Sequence, residues 1–213
     1  MLSQSERPQA ILEAAKLIPL LTIERADDAV PLAQALVEGG LATMEIALRT
    51  PDAPRAIRRI VRHVPEAIPG AGNIMTPRDF ALAKDVGAHF ALSPGFSNAL
   101  LDAAAASDMP FVPGVATPSE LMQVMSKGFH VVKFFPSVPF GGPAALRAML
   151  APFPHARFCP TGGTSEEDQE AWFALPNVIA IGGQWLAPPD EIRAGQWDKI
   201  KQRAKEAKAR LLS

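Results

Sequence analysis

Short apolar runs alternate with amphipathic stretches along the whole chain. Residues 8–17 predict a short opening helix, 18–23 a buried strand, and 27–38 a helix closed by Gly39-Gly40. The sequence then repeats this pattern. Further strands are predicted at 43–48, 67–72, 89–92, 111–114, 130–134, 157–160 and 178–181. Helices follow them at about 52–63, 77–86, 98–106, 118–127, 143–150 and 166–175, with a helical tail to Leu212. This gives eight strand candidates, each followed by helix.

Strands of near-continuous apolar character that alternate with helices imply a parallel sheet covered on its outer face. Eight such units fit an α/β fold of the (β/α)8 TIM-barrel type with an additional N-terminal helix, and a doubly wound open sheet with extra strands is the alternative. No linker, low-complexity stretch or charge block divides the chain, so one domain over residues 1–213 is expected. Three segments carry helix-start signals: Thr76-Pro77-Arg78-Asp79, Thr117-Pro118-Ser119-Glu120 and Ser165-Glu166-Glu167-Asp168.

Composition narrows the partners. The chain is 48% hydrophobic and 20% charged, and its 21 basic and 22 acidic residues leave a net charge of −1. That balance provides no electrostatic footprint for nucleic acid or an anionic membrane, so a small-molecule partner is expected. Cys159 is the single cysteine, and His63, His89, His130 and His155 are widely spaced, so neither a disulfide framework nor a metal site is expected. The first eight residues are polar, and no apolar run approaches the roughly 20 residues that span a bilayer. A soluble, cytoplasmic protein is the expectation.

In a barrel the active site is built on the C-terminal ends of the strands. There the sequence offers Glu45 with Arg49, Gly70-Ala71-Gly72-Asn73, Ser93-Pro94-Gly95, Lys133, Thr161-Gly162-Gly163 and Gly182-Gly183-Gln184. Lys133 lies among Val131, Val132, Phe134 and Phe135. A lysine so placed either aims its amine into a closed cavity or carries a surface charge at the strand exit. A desolvated ammonium gives up its proton more readily, which makes the neutral amine available to attack a carbonyl. Glu45, on a strand, would point inward, with Arg49 at the mouth; it would then be either a general acid/base beside the amine or half of a structural ion pair. The two glycine pairs close the last two strands, where barrels commonly hold phosphate on backbone N–H groups, although turns use glycine as well. Cys159 reads as a packing residue.

Together, Glu45-Ile46-Ala47-Leu48-Arg49-Thr50, Phe90-Ala91-Leu92-Ser93-Pro94-Gly95, Val132-Lys133-Phe134-Phe135-Pro136 and Phe158-Cys159-Pro160-Thr161-Gly162-Gly163 resemble the 2-keto-3-deoxy-6-phosphogluconate aldolases. Gly70-Ala71-Gly72, Pro113-Gly114-Val115-Ala116-Thr117 and Ile181-Gly182-Gly183 extend the likeness, which runs from about Pro19 to the C-terminal tail. The resemblance implies a class I aldolase that needs no cofactor, forms homotrimers, and cleaves a phosphorylated 2-keto acid to pyruvate and glyceraldehyde 3-phosphate. It assigns the Schiff base to Lys133, proton transfer to Glu45, and the substrate carboxylate to Arg49 and Thr161. Pro94 and Phe135 would line the pocket, with Gly162, Gly163 and Gly183 on the phosphate. Departures fall at Asn73, where the family usually has threonine near the carboxylate, and at Gln184, where it usually has serine beside the phosphate. Ser137-Val138-Pro139-Phe140 is also more apolar than the family's stretch. The departures leave open an aldolase for 4-hydroxy-2-oxoglutarate, for the galactonate epimer or for an unphosphorylated sugar acid, and a non-catalytic phosphate-binding barrel is the alternative outside that class.

Overall fold

The computed structural model describes residues 5–211. Helix α1 (Glu6–Ala15) precedes β1 (Leu17–Leu21); a 3-10 turn at Ala26–Asp28 leads into α2 (Ala29–Glu38). The chain continues through β2 (Thr43–Ala47), α3 (Ala53–His63), β3 (Ile68–Gly72), α4 (Pro77–Asp85), β4 (Phe90–Leu92) and α5 (Asn98–Ala105). Next come β5 (Phe111–Val112), β6 (Gly114–Val115), α6 (Pro118–Ser126), β7 (Val131–Phe134), α7 (Gly142–Ala148) and β8 (Arg157–Pro160). The described chain closes with α8 (Gln169–Phe173), β9 (Ile181–Gly183), a 3-10 turn at Gln184–Leu186, α9 (Pro189–Arg193) and α10 (Trp197–Arg210). Leu212, the predicted end of the helical tail, lies outside the described residues.

The fold is α/β, with parallel strands in a curled sheet. One ladder has the order β5-β4-β3-β2-β1-β9 and a second the order β6-β7-β8, all pairs being parallel. The expected fifth strand is two short ones, because Pro113 lacks the N–H that would continue the ladder; the chain steps there from the first set of strands to the second. At the other edge, isolated bridges pair Phe158 with Val178 and Thr161 with Gly182, so β8 meets the chain around β9.

Sequence and structure differ most in the last two units. The expected strand at 178–181 forms later, at Ile181–Gly183, and the expected helix at 166–175 shrinks to α8. Asp168 accepts from the Ser165 N–H at 3.2 Å and the Ser165 hydroxyl at 3.1 Å, which is only half of a capping box: no side chain caps α8, and residues 166–168 form a bend and a turn before it starts. Thr117 and Thr76 form the capping boxes expected of them.

The period-2 alternation of the strands decides what faces inward. Met44, Ile46, Val132, Phe134 and Phe158 belong to the large core under the helices, whereas Ile18, Phe90, Leu92, Val112, Val131 and Cys159 form a separate inner cluster. Leu12 of α1 joins that inner cluster. α1 crosses the N-terminal ends of the strands: the Ser5 hydroxyl donates to the Gly128 carbonyl and accepts from the His130 N–H, just ahead of β7, while Arg7 donates to the Asp108 carbonyl ahead of β5. By the same alternation Lys133 stands directly above Val131 on the inner face, and Glu45, between outward Met44 and Ile46, also points inward.

Candidate active site

Lys133 and Glu45 meet in the interior. The Lys133 ammonium donates to both carboxylate oxygens of Glu45, at 2.8 Å to Oε1 and 3.0 Å to Oε2. The two residues are 4% and 1% exposed, so the pair is dry. A buried charge persists only when it is paired, and each partner satisfies the other. β2 lies three strands from β5 in one ladder and β7 is central in the other, so the curl of the sheet brings the pair together.

Two glycine positions make room for it. A Cβ on Gly72 would stand 2.2 Å from Glu45 Oε1, and one on Gly70 would strike the Phe90 ring at 2.4 Å. The absence of side chains at these β3 positions lets the Glu45 carboxylate and the Phe90 ring enter the interior. Phe135 flanks the amine, its ring centroid 5.6 Å from Lys133 Nζ. Cys159 is opposite Lys133 in the β7–β8 register, with Sγ 4.0 Å from the Thr161 hydroxyl. Burial pushes its thiol up to about 12, so it stays protonated near neutral pH and serves as packing.

Arg49 and Asn73 come together elsewhere, at the exposed mouth. Arg49 Nε donates to Asn73 Oδ1 at 3.4 Å, the long end of a hydrogen bond. β2 ends at Ala47, so Arg49 lies two residues past the strand. Asn73 has φ +60, the left-handed region in which asparagine is among the few tolerated non-glycine residues and a β-branched threonine would be strained. Pro94 is half-buried, and Gly114 has no side chain where a Cβ would stand 2.3 Å from the Pro94 carbonyl carbon.

The glycine pairs form a third region. Thr161, Gly162, Gly163, Gly183 and Gln184 line a cavity of about 190 Å³ together with Leu20, Thr164 and Trp185. Gly162 and Gly163 have φ of +93 and +81, conformations that favour glycine. Gly182 lies under Thr161, whose Oγ1 would be 2.5 Å from a Cβ there, and the bridge between these residues joins the two segments. Gln184 is exposed at the rim. A larger cavity of about 910 Å³ lies at the other end of the strands, beside Lys16 and the end of α10, and none of the predicted site residues lines it. Among the described residues, no group of three or more His, Cys, Asp or Glu could hold a metal ion, and no helix is long and apolar enough to cross a membrane.

Sequence reasoning missed Leu20, Ser137, Thr164 and Trp185. Thr164 and Ser137 are buried hydroxyls bonded to the glycine segments; the residue type alone carried no signal, because the partners are set by contacts between separate strands.

This arrangement agrees with the comparisons to known proteins. Residues 9–203 match the family described as KDPG and KHG aldolase. The chain belongs to that aldolase family. It is 44% identical over 199 residues to the KHG/KDPG aldolase of Escherichia coli K12, covering 93% of each protein. Among solved structures it superposes with a TM-score of 0.92 on the KDPG aldolase of Legionella pneumophila, which holds pyruvate captured at low pH as a covalent carbinolamine; that pair is 39% identical over 94% of this chain and 97% of the other. The Zymomonas mobilis ZM4 enzyme with 3-phosphoglycerate follows at a TM-score of 0.86 and 35% identity, covering 92% of this chain and 93% of that one.

Proposed function

We propose that this aldolase cleaves 2-keto-3-deoxy-6-phosphogluconate reversibly to pyruvate and glyceraldehyde 3-phosphate, through a Schiff base on Lys133. The dry Lys133–Glu45 pair is the observation that carries this reading. An ammonium is not a nucleophile, and the carboxylate 2.8 Å away is placed to take its proton when a keto acid enters. The free amine then attacks the C2 carbonyl to give a carbinolamine, and loss of water leaves a protonated imine. A base removes the C4 hydroxyl proton, the C3–C4 bond breaks into the imine, and the aldehyde departs. Protonation of the resulting enamine at C3 and hydrolysis release pyruvate and restore the amine. Glu45 is the residue positioned to relay these protons, through a water where the substrate intervenes.

Supporting roles follow from place. Arg49, Asn73 and Thr161 would hold the carboxylate end, and Pro94 and Phe135 would wall the reacting carbons. Gly162, Gly163, Gly182, Gly183 and Gln184 would receive the phosphate, their backbone N–H groups facing the anion. The Pro113 step and the bridges from β8 toward β9 support closure of the strands into one eight-stranded (β/α)8 barrel, a single domain over the chain. A cytoplasmic homotrimer completes the proposal: a phosphorylated metabolite does not cross a bilayer unaided, and light scattering that finds one chain per particle would contradict the trimer.

One observation favours a second reading. The exposed Gln184 amide at the cavity rim suits a shorter or unphosphorylated 2-keto acid, such as 4-hydroxy-2-oxoglutarate. The deciding experiment combines pyruvate with borohydride, followed by peptide mapping and by kcat/KM on phosphorylated and unphosphorylated substrates. The expected result is a reduced adduct on Lys133 and a preference for phosphate. An adduct on another lysine removes the mechanism, and equal kcat/KM on the two substrates removes the phosphate.

A further inference from the structure

The glycine cavity is held in shape by two hydroxyls to which neither the sequence nor the comparisons assign a role. Ser137 is fully buried, and its Oγ donates to the Gly162 carbonyl at 3.0 Å. The Val138 N–H donates to the same oxygen at 3.1 Å, and the Ser137 N–H to the Thr161 carbonyl at 2.9 Å. In a trans peptide the C=O of one residue and the N–H of the next point in opposite directions. Fixing the Gly162 carbonyl toward Ser137 therefore turns the Gly163 N–H the other way. The cavity is lined by Gly162 and Gly163 and by neither Ser137 nor Val138, so that other way is the cavity side. Among the described residues the N–H groups of Gly163 and Thr164 have no protein acceptor.

Thr164 performs a different task. Its Oγ1 donates to the Gly182 carbonyl at 2.7 Å, tying the segment after β8 to β9 across the cavity. Two successive glycines at positive φ have many other backbone conformations open to them, so without such ties the segment would lose its orientation at little cost. The ties replace that freedom with one arrangement before any ligand arrives, and pre-organisation of this kind raises affinity by lowering the ordering cost of binding.

We propose that Ser137 and Thr164 are positioning residues for the distal phosphate: Ser137 sets the direction of the Gly163 N–H, and Thr164 sets the width between the two glycine segments. This rests on the phosphate end of the function proposed above. Each acts through the backbone it holds, Ser137 through the Gly162 carbonyl and Thr164 through the Gly182 carbonyl.

The test measures one ratio, kcat/KM on 2-keto-3-deoxy-6-phosphogluconate over kcat/KM on its unphosphorylated counterpart, in the wild type and in Ser137→Ala and Thr164→Val. Each variant is expected to lower the ratio about tenfold through KM for the phosphorylated substrate. Inhibition by inorganic phosphate should weaken in parallel, and Thr164→Ser, which keeps the hydroxyl, should restore both. A loss shared equally by the two substrates, with the ratio unchanged, would mark the hydroxyls as merely structural and overturn the proposal; an unchanged KM in both variants would overturn it as well. If Thr164→Val fails to fold, Ser137→Ala and Thr164→Ser still decide the matter. A wild-type ratio near one is a distinct result: it removes the phosphate reading itself and with it the premise of this inference.

Discussion

The Lys133–Glu45 pair and the glycine cavity lie one layer apart. Lys133 is level with Cys159 in the register, and Thr161 is two residues further along, about 7 Å at the rise of a strand. Yet the two regions are built on opposite terms. In the deeper one each charged atom already has its partner, at 2.8 and 3.0 Å, and neighbouring glycines have vacated space for it. In the shallower one backbone donors are left without acceptors, and side chains such as Ser137 and Thr164 serve to hold the frame. A site that must be chemically ready is complete in itself, whereas a site that selects a ligand is complete only with it.

The contrast can be broken most directly at Lys133. Lys133→Met should lower turnover by about 10⁴-fold or more on every substrate, phosphorylated or not, since no other group supplies the imine. Glu45→Gln should slow turnover by about 10² to 10⁴-fold while still trapping pyruvate with borohydride, because the nucleophile survives and only proton transfer is impaired. Steady-state kinetics with intact-mass detection checks both, and full turnover by either variant would sink the assignment.

A milder test displaces the pair without removing it. Gly72→Ala puts a methyl group 2.2 Å from the present position of Glu45 Oε1, so the carboxylate has to move. A displacement near 1 Å costs on the order of 10²-fold, and the loss should appear in kcat for phosphorylated and unphosphorylated substrates alike. Wild-type kcat would mean that the geometry of the pair is not limiting.

In the upper region the signature changes. Gly163→Ala meets a left-handed φ of +81 and a Val138 Cβ at 2.8 Å, so the segment must distort. KM for the phosphorylated substrate should rise about tenfold, with kcat nearly kept. An equal effect on the unphosphorylated substrate would contradict the separation of the two regions. Gln184→Ser at the exposed rim should have the smallest effect, about twofold in KM, as expected of a surface change of about 0.5 kcal/mol. A tenfold change there would make the rim, rather than the glycine frame, the seat of selectivity.

How far each region was legible follows from the same difference. The order of strands and helices could be read through β8, apart from the break at Pro113, because period-2 and period-3.6 patterns are local; alternation gave the inward direction of Glu45, whereas Lys133, in an unbroken apolar run, stayed open between cavity and surface. β9 was misplaced because its residues, Ile181-Gly182-Gly183, have the composition of a turn, while the apolar run before them offers a better strand by composition. α8 was overestimated because the Ser165–Asp168 box forms only in part, without the Ser165 hydroxyl accepting from the Asp168 N–H, and the helix starts only at Gln169. The roles of Ser137 and Thr164 were not legible at all. Their partners, Gly162 and Gly182, are 25 and 18 residues away and are reached only once β7, β8 and β9 stand side by side.

Helix α1 carries a last consequence. Because Leu12 packs into the inner cluster at the N-terminal ends of the strands, apolar side chains fill that end, and a substrate comes to Lys133 from the C-terminal ends. The order of traffic at that end follows from the bond to Lys133. In cleavage the aldehyde must vacate the passage before pyruvate, still bonded at the far end, can follow. In the synthetic direction pyruvate has to enter first, and an excess of the phosphorylated aldehyde would queue in the passage and block its own partner.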